Sequence, residues 1–415
     1  MTKYPARRYQ IFGKLFSKFA LLAALTAILP WFASARSKGA TSTLRTRHAA
    51  TKRATTRHAA VRRSTVRRAT VRTVAARRRV VRHHYYRRPW LSTYINDPGK
   101  GDDAQFDDPV VRQAALEALG EQNGTVVAVD PSNGRILSIV NQKLAYSAGF
   151  EPCSTLKPVI AVAALENHII TPDTMVRIGR RRYMDLTEAL AHSNNEFFQQ
   201  LGGRLGFSTV HHYDSLFGLG ERAGYGIEDE QPGVLPAAPP AYGGVERMCS
   251  FGEGIRMTPL QLAAIVSTIA NGGTLYYLQY PQTAEAAQNF QPRVRRTLAI
   301  APLLPDLRQG MLAAVLYGTA RQSNDPDGEQ ALGKTGTCND PTMGGRLGWF
   351  ASYAGQENPK IVLVVLLRGL QRIVNGPHAA DVAGKIYRDL YQQKYFVSKP
   401  ADTAAASAST GGTQR

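Results

Sequence analysis

The chain has no acidic residue before Asp97. Of its 51 Lys and Arg residues, 23 fall within residues 1–90, which leaves 28 against all 31 acids in the remainder. The net charge of +20 therefore belongs to the first 90 residues, and the high isoelectric point says nothing about the globular part. Histidines at metal-ligand spacing are also missing, because the nine present lie in the basic tract or at scattered positions. No metal and no cofactor is expected. Cysteine is scarce, and Cys153, Cys249 and Cys338 are the whole set.

A long apolar run is absent too. The 17 residues FALLAALTAILPWFASA from Phe19 to Ala35 are marginal against the about 20 needed to span a bilayer. With Lys3, Arg7, Arg8, Lys14 and Lys18 before them and Ala33-Ser34-Ala35 at their end, they have the layout of an export signal, cleaved or retained as an anchor. Basic residues are denser after the run than before it, against the orientation that export requires. Residues 36–101 read as a basic, low-complexity linker, too poor in large apolar groups to offset chain entropy. Such a tract is a solvated spacer or an attachment to a polyanion: membrane or anionic envelope polymer after export, nucleic acid otherwise. Export makes nucleic acid the disfavoured partner. Residues 398–415 form a second low-complexity tail.

Residues 102–397 have an ordinary composition and can enclose a core. DPVVRQAALEALGEQNG predicts a helix with Val111, Ala114, Ala115 and Leu119 on one side and Gly124 past its end. TVVAVDPSNGRILSIV predicts a hairpin about Asp130–Gly134. TPLQLAAIVSTIANGG predicts a helix with Thr258 as cap, Pro259 at its first position and Gln261 completing a capping box. GWFASYA and IVLVVLLRG read as strands and HAADVAGKIYRDLYQQ as a closing helix. Strands at both ends with helices between them predict one sheet interrupted by a helical insertion.

Chemistry concentrates in EPCSTLKPVIAVAALE, residues 151–166. Pro158 is tolerated only in a helix's first turn, so the helix starts near Ser154 and sets Lys157 one turn along. There a neutral amine could take the serine proton, while the adjacent amide holds an oxyanion. By itself the pair describes a capped helix with a solvated lysine equally well. In AHSNN, Ser193 and Asn195 could relay a proton and hold a substrate amide, or form an ordinary turn. In LGKTGTC, Lys334 supplies a cation, Thr335 a hydroxyl, and Gly336 allows close approach to strand backbone.

The order S-T-L-K, S-N-N, K-T-G-T resembles the penicillin-binding proteins and serine β-lactamases, over about residues 105–395. VVAVDPSNGRILSIV and SFGEGIRMTPLQLAAIVSTIANGG resemble the flanking blocks of a transpeptidase domain. The resemblance implies an α/β fold of the α+β type: an antiparallel five-stranded sheet flanked by helices, with a helical subdomain. It implies Ser154 as acylated nucleophile, Lys157 as base, Ser193 as relay and Asn195 as substrate contact. Lys334 and Thr335 would hold the terminal carboxylate beside Gly336, and the Ser154 and Thr337 amides would form the oxyanion hole. The implied substrates are D-Ala-D-Ala stem peptides of peptidoglycan, with β-lactam antibiotics as their mimics. The catalytic domain would then be periplasmic or extracytoplasmic, anchored or secreted.

D,D-transpeptidase, D,D-carboxypeptidase and β-lactamase share this acylation and differ in what attacks the acyl-enzyme. The 141 residues from Ser193 to Lys334 resemble the larger penicillin-binding proteins, and IEDEQPGVLP looks like a transpeptidase loop and not a hydrolase's deacylating glutamate. A non-catalytic β-lactam or wall-binding protein is the alternative in another class. The 39 residues between Ser154 and Ser193 are fewer than in the family, which implies trimmed helices, and no pedestal domain fits before residue 105. Cys153 and Cys338 flank the two oxyanion amides, so a disulfide between them, resembling one in certain carbapenemases, is an expectation beside that of two buried thiols.

Overall fold

The computed structural model describes residues 91–397 apart from 282, 341–343 and 357. The apolar segment, the basic tract up to residue 90 and the C-terminal tail lie outside the described residues. Among the described residues, no helix is long and apolar enough to cross a membrane.

Helix α1 (Pro109–Leu119) begins at Asp108, whose carboxylate accepts from the Val110 and Val111 amides, and buries Val111, Ala114, Ala115 and Leu119. It stops at Gly120 (φ 54°), so Gly124 is not its terminator: that glycine opens β1 (Gly124–Val129). A Cβ on Gly124 would come within 2.5 Å of the Leu366 carbonyl, so close strand approach explains the glycine. Strand β2 (Ile136–Val140) completes the expected hairpin, with Gly134 (φ 79°) in its turn. The insertion then carries α2 (Lys157–Glu166), α3 (Leu186–Ala191), α4 (Asn195–Leu216, kinked at Gly206), α5 (Gly244–Phe251), α6 (Pro259–Ala270) and α7 (Leu304–Leu316). Helix α6 has the expected capping box, Thr258 accepting from the Gln261 amide and Gln261 from the Thr258 amide. The chain returns through β3 (Ala331–Asn339), β4 (Arg346–Ala354), β5 (Ile361–Gly369) and α8 (Gly376–Gln392).

These strands form one antiparallel five-stranded sheet in the order β2-β1-β5-β4-β3. Both ends of the domain contribute to it, as the element order predicts. Strand period two divides its side chains between two cores. Trp349, Ala351, Tyr353, Val362, Val364 and Leu366 face the helical insertion, and Phe350, Leu363, Val365 and Leu367 face α1 and α8. Because both faces are covered, β5 is buried along its whole length and reads as one apolar run instead of an alternation. Strand β3 is an edge, with one side of its backbone open.

The linker boundary at residue 101 requires correction. Residues 91–101 are part of this body: Tyr94 bridges to Gln122, the Ile95 amide donates to the Glu121 carbonyl (2.7 Å), and Thr93 Oγ1 accepts from the Gln371 amide (3.2 Å). Composition cannot register these contacts, because they run through backbone groups and a threonine seated over Gly369.

Candidate active site

Ser154 lies on a one-turn 3₁₀ segment, Cys153–Leu156, that feeds α2, and Pro158 falls inside the first helical turn. Cys153 adopts φ 54°, which costs a residue bearing a Cβ and persists only where the surroundings impose it. Three contacts impose it here. Cys153 is disulfide-bonded to Cys338 on β3, the Thr155 hydroxyl donates to the Pro152 carbonyl (2.7 Å), and the turn lies on β3 at Gly336. A Cβ on Gly336 would sit 3.0 Å from the Pro152 carbonyl and 3.1 Å from Thr155 Cγ2, so glycine lets nucleophile turn and strand touch.

The bridge closes a 185-residue separation, and its loss is expected to destabilise the domain by about 2–4 kcal/mol. Alkylation of the denatured chain gives the chemical check. One adduct, on Cys249, is expected without reductant and three with it, whereas three adducts without reductant contradict the pairing.

Lys157 is fully buried, and its Nζ donates to the Ser193 carbonyl (2.7 Å), Asn195 Oδ1 (2.7 Å) and Ser193 Oγ (3.2 Å). Ser193 stands at φ 54° in the turn between α3 and α4, held there by Asn194, which caps α4 by accepting from the Phe197 amide (2.9 Å). Lys334, 1 % exposed, approaches from β3 and donates to Ser193 Oγ (2.8 Å) and the Thr335 carbonyl (2.9 Å). One hydroxyl thus contacts two buried amines, whose residues lie 36 and 141 positions away. Burial, and secondarily the charge of Lys334, pushes the Lys157 amine well below the usual lysine range. Burial brings Lys334 down to about 7. The Ser154 hydroxyl is half-buried and bonds neither lysine; its long 3.5 Å contact to the Ser250 carbonyl leaves it free to turn toward a reactant.

Strand alternation separates the rest of that motif. Lys334 and Gly336 face the nucleophile turn, whereas Thr335 and Thr337 face the start of α8. Thr335 shares a 2.6 Å hydrogen bond with Thr319 Oγ1, and Thr337 Oγ1 accepts from the Gly376 amide (2.7 Å). The Thr335 side chain therefore does not join Lys334 at Ser193. Of the three motifs, Lys157, Ser193, Asn195 and Lys334 meet directly, and Ser154, Gly336 and Thr337 lie alongside.

Sequence reasoning missed Thr319, Ser250 and Glu151. The first two act through contacts with no spacing signal. Glu151 has its carboxyl in a cleft of about 390 Å³ that also takes in Arg247, Glu253 and Thr337. Burial, then the charges of Glu253 and Asp340, lift this carboxyl to about 7, against the pull of Arg247 and Arg256. Glu230, in the loop that raised the question of a hydrolytic base, accepts from the Ala223 (3.0 Å) and Gly224 (2.6 Å) amides and so secures its own loop. Among the described residues, no group of His, Cys, Asp and Glu could hold a metal ion.

This geometry has counterparts in other proteins. Stage V sporulation protein D of Bacillus subtilis is 28% identical over 66% of this chain and 50% of its own length. Peptidoglycan D,D-transpeptidase FtsI of Escherichia coli is 24% identical over 64% and 50% respectively. The chain thus spans about half the length of the curated relatives it matches. The apo transpeptidase domain of penicillin-binding protein 3 from Burkholderia pseudomallei superposes with a TM-score of 0.59 at 20% identity, covering 74% of this chain and 98% of that one. PBP2 of Pseudomonas aeruginosa in complex with WCK 5153 gives 0.59 at 22% identity, covering 72% and 80%. These likenesses establish the antiparallel-sheet fold of penicillin-binding transpeptidase domains. The family model described as penicillin binding protein transpeptidase domain matches residues 124–392, from the first sheet strand to the last turn of α8, and on that match the chain belongs to the penicillin-binding protein transpeptidase family.

Proposed function

We propose that this chain is a peptidoglycan D,D-transpeptidase that transfers the acyl group of D-Ala-D-Ala stem peptides through an ester on Ser154. The observation that carries the reading is the Ser193 hydroxyl in contact with both buried amines, with the half-buried Ser154 hydroxyl bonded to neither. Lys157, whose burial favours the neutral amine, takes the Ser154 proton as Oγ attacks the penultimate D-Ala carbonyl. The Ser154 and Thr337 amides receive the oxyanion, Thr337 lying on the open edge of the sheet. The proton passes through Ser193 to the departing D-Ala amine, and an acceptor amine then displaces Ser154 from the ester. Asn195 orients both Lys157 and the substrate amide. Lys334, as ammonium, holds the terminal carboxylate. Glu230 is engaged by its own loop, which favours an amine acceptor over water. Some of the relatives carry the name peptidoglycan D,D-transpeptidase, and β-lactams would acylate Ser154 as substrate mimics. Stem peptides lie outside the cytoplasm, so the catalytic domain belongs there too, with the basic tract binding membrane or anionic envelope polymer.

Product analysis with a pentapeptide muropeptide and an amine acceptor tests this. Cross-linked product with release of one D-Ala is expected. Trimmed tetrapeptide alone would make the chain a carboxypeptidase, and steady-state penicillin hydrolysis a β-lactamase. A protein that fluorescent penicillin does not label would be no acyl-transfer enzyme.

The acylation rate should also trace a bell against pH. Protonation of Lys157 removes the base, so kcat/KM falls toward acid. Lys334 loses its charge as pH rises through about 7, so binding of the carboxylate weakens on the alkaline side. The two amines share a hydroxyl and titrate as a pair, so the limbs report macroscopic values. A penicillin esterified at its carboxylate should keep the acid limb and lose the alkaline one. A monotonic rise to pH 10 with the free acid contradicts the assignment of Lys334.

A further inference from the structure

A second cleft, of about 400 Å³, shares no lining residue with the one that takes in Glu151 and Thr337. At its floor is Arg368, the penultimate residue of β5, only 8 % exposed. Among the described residues, its guanidinium makes no hydrogen bond and no ion pair; it lies over the Phe150 ring, 5.6 Å from the centroid. Arginine carries five N–H donors and stays charged, so nine-tenths burial without an acceptor is costly unless something in the cleft accepts from it. Arg368 lines the cleft, and none of its nitrogens is both sealed from solvent and unpartnered. Asp340 is near enough to favour the charged form, but burial outweighs it and lowers the Arg368 pKa. Lys143, exposed and without an ion pair among the described residues, stands on the same cleft, and no carboxylate lines it. The neutral polar side chains there are already engaged: Asn141 Nδ2 donates to the Gly124 carbonyl (2.8 Å) and Ser147 Oγ to the Leu144 carbonyl (2.8 Å). What the cleft offers is two cations.

We propose that this cleft binds an oxyanion, a carboxylate or a phosphate, gripped by the Arg368 fork with Lys143 at its mouth. Planar guanidinium matches both groups through paired N–H donors, and partial desolvation strengthens the contact. The anion could be carried by a wall peptide or by a phospholipid headgroup, and the two sources share this chemistry. The site is separate from the acyl-transfer machinery, since none of Ser154, Lys157, Ser193, Asn195, Lys334 or Thr337 lines the cleft. Its occupancy is therefore independent of the function proposed above.

Three probes are to be titrated into the full chain: L-alanyl-γ-D-glutamate, inorganic phosphate, and phosphatidylglycerol vesicles with phosphatidylcholine as control. Residues 1–90 carry 23 basic side chains and attract anions themselves, so the readout must be local. Hydrogen–deuterium exchange over residues 141–150 should slow with at least one probe. The concentration required should rise tenfold or more in Arg368→Gln and a few-fold in Lys143→Gln, an exposed position whose change leaves the fold intact. Slowing by the dipeptide alone identifies a peptide carboxylate, and slowing by phosphate and the anionic vesicles identifies a phosphate. The proposal is overturned if no probe slows exchange there, or if Lys143→Gln and every folded Arg368 variant respond as the parent does. Fluorescent penicillin should label Ser154 equally in all these proteins, which keeps failure here distinct from failure of the acyl-transfer reading.

Discussion

Fluorescent penicillin should leave Ser154→Ala unlabelled and should label Lys157→Met about 10²- to 10⁴-fold more slowly than the parent. The first result follows from loss of the atom that forms the ester. The second follows from loss of the base, and it corresponds to about 3–5 kcal/mol of transition-state stabilisation. Methionine fills most of the lysine's buried volume, so the effect is not that of a cavity. It does remove the donor to the Ser193 carbonyl and Asn195 Oδ1, which leaves two acceptors unanswered at a cost of about 1–3 kcal/mol each. Thermal unfolding must therefore accompany the labelling rates. A folded Lys157→Met protein that labels at the parental rate removes lysine from the mechanism and with it the reason for the low amine pKa.

Trp349→Ala is expected to destabilise the domain by about 3–5 kcal/mol, which urea unfolding with the disulfide intact would measure. Trp349 is fully buried on the insertion face of β4, against Phe150, with its ring edge-on at 6.3 Å between centroids. Its Nε1 donates to the Glu151 carbonyl (3.0 Å), two residues before the strained Cys153. The same indole thus fills the core and anchors the nucleophile turn. Trp349→Phe should keep most of the stability, losing about 1 kcal/mol with the hydrogen bond. A loss below 1 kcal/mol in the alanine protein would mean that the turn is not carried on the sheet core.

Local elements were legible before any coordinates. The Asp130–Gly134 turn, the Thr258 capping box and the apolar side of α1 each act between residues a few positions apart, and each formed where its residues predicted. The family resemblance, carried by three short motifs, supplied the strand count and the sheet. Errors arose where a local signal had a rival. Gly124 reads as a helix stop, but Gly120 is nearer and Gly124 is required by strand approach. Residues 91–101 follow directly on the basic tract yet pair through their backbone with residues 121–123, between α1 and β1. Thr335 follows Lys334 in the same motif, and strand alternation turns its side chain to the opposite face.

By itself the sequence determined where helices begin, where strands turn and which short stretches hold nucleophile, amines and hydroxyls, since these depend on dihedral preference and on neighbours within about one turn. Only the tertiary structure decided that Ser193 would touch both Lys157 and Lys334, that Cys153 would meet Cys338, and that Arg368 would be buried without an acceptor. Those outcomes depend on the desolvation of groups up to 185 positions apart. No pattern in the chain encodes that burial until the sheet and the insertion close on each other.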